Sequence, residues 1–357
     1  MPDPILKNYR TQVLGYFERA AAALALRQVG GGAGPRAGEG VGSSGTSSLL
    51  KGNVGPWPGS TDADFHGTLG AIWIWARHQN LSDSPRFASN RQAGWTFVEK
   101  VWRSFVPEAI GPAASDEAAY DCAMVLRAAV AEPQLEGEGH GRSELISGAA
   151  RVLAAYLGEL DDLSGRDFQD PGFLAWNLIE YARAVEDRGL LAAGRRFVER
   201  AFGMKAPPVF ATEPETPGAL FDFSSTTAMR VLAIVASEGN TPFVGAWLRE
   251  RVARAIPPGF VKRARDENCW NGSVAALLGR AYVISTEGRF LEAYRAIRAE
   301  LERRTAYGEA AARDGASDAM DTLVTFYTSL GADALVRPGP VESAVRGQSG
   351  GSPGGGG

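Results

Sequence analysis

Gly70-Ala71-Ile72-Trp73-Ile74-Trp75-Ala76 carries no charged side chain, and the acidic stretch Asp62-Ala63-Asp64 lies just before it. The same order recurs five more times: a polar or acidic approach, a small residue, then an apolar run at helical spacing. The copies are Cys122-Ala123-Met124-Val125-Leu126-Arg127-Ala128, Leu174-Ala175-Trp176-Asn177-Leu178-Ile179-Glu180, Thr227-Ala228-Met229-Arg230-Val231-Leu232-Ala233, Val274-Ala275-Ala276-Leu277-Leu278-Gly279-Arg280 and Asp318-Ala319-Met320-Asp321-Thr322-Leu323-Val324. The shared alanines follow one another after 52, 52, 53, 47 and 44 residues. Steps this even mark an internal repeat, and each is long enough for two helices and a turn. Strand-like alternation is scarce.

Between the apolar segments run more polar ones with charge on one face: 87–105, 191–202, the stretch opened by Thr241-Pro242, and the stretch after Gly288. A Thr cap followed by Pro suits a helix start. Gly189, Gly239, Gly288 and Gly331 suit left-handed residues that end helices. Helices apolar nearly all round belong inside and amphipathic ones outside. Six inner helices with five outer ones between them leave one vacancy. The amphipathic segment Ile5 to Arg27 fills it by packing beside the helix around Ala319, closing a ring. The expected fold is all-α, a single-domain (α/α)6 toroid. The alternative is an open helical solenoid, whose periods of roughly 34 to 47 residues fit the first three steps poorly. The expected organisation is a ring-closing helix over 1–28, a Gly/Ser-rich linker over 29–56, helical hairpins over 57–337 and a tail over 338–357.

The chain has 357 residues, 45% hydrophobic and 22% charged, with a net charge of −4. This balance excludes a fully disordered or collagen-like chain. It leaves no excess of cations to neutralise phosphates, so no nucleic-acid partner is expected. Cys122 and Cys269 are too few for a disulfide framework. One bridge between them is open, and two reduced, buried thiols are the expectation. The first residues lack the apolar core of a signal peptide. The most apolar stretch, Ala20 to Leu26, falls well short of the ~20 residues that span a bilayer. A cytoplasmic protein without a transmembrane segment is expected, with peripheral attachment through a partner left open.

Gly55-Pro56-Trp57-Pro58-Gly59, followed by Asp62-Ala63-Asp64-Phe65-His66-Gly67-Thr68 and the apolar run, resembles the repeat of the terpenoid-cyclase and protein-prenyltransferase α/α-toroid superfamily. There, too, a Gly/Trp turn leads to an acidic residue, a Thr and an inner helix. The resemblance is densest over Gly55 to Arg77 and implies a fold rather than an activity. The Asp-x-Asp-Asp motif of the protonating cyclases is not matched, because Asp64 is followed by Phe65 and His66. The Asp/Cys/His zinc set of the prenyltransferases has no counterpart, so neither metal nor cofactor is expected. Many glycoside hydrolases and polysaccharide lyases also use an (α/α)6 barrel, and none of their signatures appears.

In such a ring the starts of the inner helices converge on one mouth. They bring Asp62, Asp64 and His66; Asp116, Glu117, Tyr120 and Asp121; Asp170, Trp176 and Asn177; Asp222 and Phe223; Asp266, Glu267, Trp270 and Asn271; and Asp314, Asp318 and Asp321. Acids among aromatics suit a sugar, a cation or an Arg-rich segment. Asp62, Asp64, Asp121 and Asp318 are the acid and base candidates, since paired carboxylates at about 5–9 Å serve glycoside hydrolysis. Trp57, His66, Tyr120, Trp176, Asn177, Asp222, Trp270, Asn271 and Asp321 are the ligand-contact candidates. The competing reading is structural: acids at helix starts cap amides and complement the dipole. His66 with Asp62 and Asp64 would need a fourth ligand from another repeat to hold a metal. His140 reads as part of a polar loop, and Trp73 and Trp75 as core. No nucleophile elbow, phosphate loop or dinucleotide fingerprint appears.

The leading reading is a non-catalytic toroid that binds a partner protein or small ligand at its acidic, aromatic mouth. The alternatives are a carbohydrate-active enzyme using paired carboxylates, or a divergent terpenoid or prenyl enzyme drawing its acid from Asp62 or Asp64. Gly347 to Gly357 is only Gly, Ser, Pro and Gln and has nothing to bury. Its deletion should leave the melting temperature unchanged within error in a calorimetric scan, and a drop of several degrees would show packing that composition hides.

Overall fold

A computed structural model of the chain describes residues 4–29, 49–50, 65–105, 116–132, 140–160, 171–202, 225–256, 271–299 and 322–335. These residues are helical apart from turns and one short antiparallel ladder, in which Gln28 pairs with Leu50 and Val29 with Leu49. The expected linker therefore starts in a ladder with Leu49 and Leu50, a contact its composition does not suggest.

The helices are α1 (Pro4–Arg27), α2 (Phe65–Ser82), α3 (Ala88–Phe105), α4 (Asp116–Ala131), α5 (His140–Glu159), α6 (Pro171–Ala184), α7 (Arg188–Ala201) and α8 (Ser225–Glu238). After them come α9 (Pro242–Trp247), a π-helical turn (Leu248–Val252) that leads into α10 (Ala253–Ala255), α11 (Asn271–Ser285), α12 (288–299) and α13 (Thr322–Asp333). His140, expected in a loop, opens α5. Ala319 lies outside the described residues.

Burial separates two kinds of helix. Gly67 through Ala76 in α2 and Pro171 through Ile179 in α6 are buried without interruption. In α7 only Gly194, Phe197 and Val198 are buried. A helix buried on every side needs neighbours on every side, and the contacts supply them. Helix α2 packs on α4, α4 on α6, α6 on α8, α8 on α11, α11 on α13, and α13 returns to α2. Start meets start and end meets end along this cycle. His66 of α2 meets Asp121 of α4, while Asn80 of α2 donates to the Ala131 carbonyl that ends α4. The six therefore run parallel. Helices α3, α5, α7 and α9 pack against this cycle.

Helix α1 packs against α2 and α13. It buries Val13, Tyr16, Phe17 and Leu24, which at about 2 kcal/mol per large apolar side chain is roughly 8 kcal/mol before the entropy of ordering. That is the weight of an integral element. The Trp75 indole donates to the Ala21 carbonyl at 3.0 Å. His78 and Arg86 both bind the Glu18 carboxylate. On the other side, Ser329 of α13 donates to Tyr16 at 3.4 Å and Arg295 of α12 to Tyr9 at 3.2 Å.

The turns after the inner helices repeat one geometry. Asp83, Glu186, Gly239 and Thr286 hold left-handed backbone at φ 56°, 57°, 76° and 56°, ending α2, α6, α8 and α11. Only Gly239 is among the expected glycine caps. Gly189 and Gly288 come too late: the next helix has begun by then, with Asp187 accepting from the Gly189 and Leu190 amides. Thr241 caps α9 through the Val244 amide, followed by Pro242 as the sequence implies.

Gly331 is no cap either. It lies inside α13, where a Cβ would sit 2.7 Å from that of Ala275. Helices α11 and α13 thus meet backbone to backbone, and a Cβ on Gly272 would fall 1.9 Å from the Tyr327 carbonyl oxygen. Gly272→Ala should cost about 3 kcal/mol through overpacking. Gly148→Ala, where the nearest atom is 4.0 Å away, should instead gain about 0.5–1 kcal/mol. Urea titration of both variants checks the contrast, and equal effects would refute the close approach of α11 and α13.

Candidate functional site

At the amino-terminal side of the parallel helices, aromatic rings fill the space between them. Tyr120 of α4 stacks on Phe173 of α6 with centroids 5.3 Å apart. Its hydroxyl lies 2.8 Å from that of Tyr327 on α13, although α2 stands between α4 and α13 in the cycle of contacts. Phe173 also reaches Tyr327, at 6.2 Å, and Trp73 meets Phe326 edge to face at 5.4 Å. Among the described residues these side chains reach across the space between the helices.

The sequence candidates divide accordingly. Asp121 and His66 come together as a half-exposed pair at the starts of α4 and α2. Tyr120 and Asn177 are each only 1% exposed, and the Asn177 amide donates to the Phe173 carbonyl one turn back. Trp57, Asp62, Asp64, Asp222, Trp270, Asp318 and Asp321 lie outside the described residues, as does the Asn271 side chain. So do Asp170, Phe223, Asp266, Glu267 and Asp314, and the Asp116 and Glu117 side chains. Of the proposed His66/Asp62/Asp64 metal set only His66 is described. Among the described residues no three His, Cys, Asp or Glu side chains gather as a metal would require. The Cys122 thiol is free, buried and pushed well above its usual range by burial and by neighbouring Asp121, which makes it an inert core group.

Trp176 belongs elsewhere. It lines a small pocket of about 50 Å³ toward the carboxyl-terminal halves of the inner helices. Arg127 of α4, Glu180 of α6, Arg280 of α11 and Asp333 of α13 supply its charges, and Leu232, Val235 and Leu330 part of its apolar wall. Arg127 lies over the Trp176 ring, 4.0 Å from the centroid, and is ion-paired with Glu180. Arg77 holds Asp333 through two hydrogen bonds of 3.1 and 2.6 Å. Such forked contacts are the strong kind of charged hydrogen bond. Arg183, nearby, donates to the Ala236 and Ser237 carbonyls at the end of α8. Burial first, then the cations Arg195 and Arg280, lower its pKa, so guanidinium groups crowd this end. Cations there complement the negative ends of six parallel helix dipoles.

Sequence reasoning missed this pocket because acids draw attention to the helix starts. The available signal was a charge deep inside an otherwise apolar helix: Arg127, Glu180 and Arg280 each break such a run. Among the described residues no helix is long and apolar enough to cross a membrane.

Comparison with known proteins adds no family: no protein-family model, no curated protein and no solved structure matches the chain.

Arg127 and Glu180 are 5% and 17% exposed in their side chains. Removing one member of a pair this buried leaves the other charge uncompensated, at about 3 kcal/mol. Arg127→Met should show that loss by chemical denaturation. Adding Glu180→Met should restore part of it, and a double variant as unstable as the sum of the singles would show that the two are uncoupled.

Proposed function

We propose that the chain is a closed (α/α)6 toroid, of the terpenoid-cyclase and prenyltransferase kind in architecture, that binds a small ligand without transforming it. Helix α1 serves as the sixth outer helix. The cycle of contacts from α2 round to α13 and back supports the ring. So does the seat of α1 between its first and last members.

The observation that carries the functional reading is the contrast between the two ends of the inner helices. At the amino-terminal side Tyr120, Phe173 and Tyr327 occupy the interior. In that packed space a buried polyisoprenoid or sugar ring would have to displace core. At the carboxyl-terminal side α4, α6, α8, α11 and α13 all contribute to a pocket with paired charges and an apolar wall. Concave, mostly apolar sites with a few fixed polar groups are the usual form of a small-molecule site. The ligand site is therefore moved from the acidic mouth to the opposite end.

Native mass spectrometry of the full-length protein from its own host tests this. A small molecule should co-purify with the wild type and be lost from Ala236→Trp, which fills the pocket, while Asp121→Asn retains it. The reverse pattern would return the site to the amino-terminal mouth and overturn the proposal.

A further inference from the structure

Resting on the reading of the carboxyl-end pocket as a ligand site, we propose that its ligand is a small neutral alcohol whose hydroxyl donates to Asp333. The hydrocarbon part lies along Leu232, Ala276, Leu330 and Ala334. Three observations lead there.

The first is size. The pocket holds about 50 Å³, and a single water takes up about 10–15 Å³ of such space. There is room for roughly four non-hydrogen atoms. A sugar ring or an isoprenoid chain would not fit inside it.

The second is the acceptor in its wall. Asp333, the last residue of α13, lines the pocket, and its side chain is only 6% exposed. Arg77 donates once to each of its oxygens, at 3.1 and 2.6 Å. A carboxylate offers about four acceptor sites, so these two bonds leave acceptor capacity for a donor inside the pocket. The grip of Arg77 fixes the carboxylate before any ligand arrives, which lowers the ordering cost of binding. An O–H that reaches it makes a charge-assisted hydrogen bond, stronger than a neutral one.

The third is the set of bonds the wall already makes. Arg127 is ion-paired with Glu180 and Arg77 with Asp333, and Arg280 donates to the Asn240 side-chain oxygen at 3.3 Å. These bonds ask for no charge on the ligand. An ammonium would compete with Arg77 for Asp333, and a carboxylate would set its own oxygens against those of Asp333. Either ion would also shed hydration that contacts to so few atoms scarcely offset. The aliphatic side chains from α8, α11 and α13 that complete the wall suit hydrocarbon.

Ligand-observed NMR titration of the full chain tests the proposal. Isopropanol and acetone have the same heavy atoms in the same arrangement, and only isopropanol donates. Isopropanol should bind at least about tenfold more tightly, the weight of one hydrogen bond to a charged group. Affinity should rise about fourfold per methylene from methanol to propanol, with propionate and propylammonium both weaker than propanol. Asp333→Asn, whose amide offers acetone a donor, should lower the preference for isopropanol at least about threefold. Should that variant not fold, the wild-type comparison decides alone. A wild-type preference below about tenfold, or either ion binding more tightly than propanol, would overturn the ligand class. A folded Asp333→Asn that keeps the wild-type preference would overturn the role of Asp333. If the preferred probe is then lost from Ala236→Trp, the pocket survives as a ligand site and only its chemistry was misassigned. If no probe binds, or if Ala236→Trp leaves binding intact, both readings fail.

Discussion

A helix that is apolar on every side has no face to give to water, and six such helices dominate this chain. Each must be covered by two neighbours of its own kind and by something outside. Contacts from α2 through α4, α6, α8, α11 and α13 meet that demand for the middle members. The first and last would each expose a flank if the series ended there. The seam between α13 and α2 removes both flanks at once, through Arg77 on Asp333, Trp73 against Phe326, and Gly70, where a Cβ would lie 3.1 Å from that of Phe326. Helix α1 then covers the seam from outside, with Trp75 and His78 fastening it to α2. The rest of the architecture hangs on that junction between the two ends of the repeat.

Parallel inner helices make the two sides of the molecule chemically unlike. All the positive ends of the helix dipoles gather on one side and all the negative ends on the other. Arginines answer the negative side. Arg195 of α7 donates to the Ser237 carbonyl at the end of α8, and Arg249, beyond α9, to the Ser285 carbonyl at the end of α11. Arg91 of α3 reaches Glu132, just past α4, within a cluster where burial raises the Glu132 pKa despite the nearby cations. In α3, in α7 and just beyond α9, one arginine thus closes the next inner helix, eight to ten residues after a left-handed turn. The guanidiniums in the proposed pocket extend the same electrostatic logic inward. In that sense the proposed ligand site is the part of this charge pattern that opens to solvent.

Much of the fold was legible because burial and periodicity are properties of single helices. The apolar run around Ala71 and the amphipathic stretch of α7 announce an inside and an outside without any knowledge of neighbours. Thr241-Pro242 marked a helix start for an equally local reason. Gly331 was misread because a glycine that ends a helix and one that admits another backbone look alike in sequence, and only the approach of Ala275 tells them apart. The same limit hid the pocket: Arg127 and Glu180 lie 53 residues apart, and Arg77 and Asp333 lie 256 apart. Their pairing depends on which helices become neighbours. Tyr120 and Asn177 show the converse limit, since a polar tip in an apolar helix reads equally well as a ligand contact and as the interior hydrogen bond that each makes.

The central claim is that α1, α2 and α13 form one junction closing the proposed ring. Hydrogen exchange resolved by peptide, followed across a denaturant series, tests it most directly. Amides of Val13–Leu24, Leu69–Trp75 and Thr325–Leu330 should lose protection in the same cooperative event, with the same free energy and denaturant dependence. Exchange of the α1 amides within seconds in native buffer, while those of α2 and α13 stay protected, would mean that the junction holds without α1 and would contradict the account.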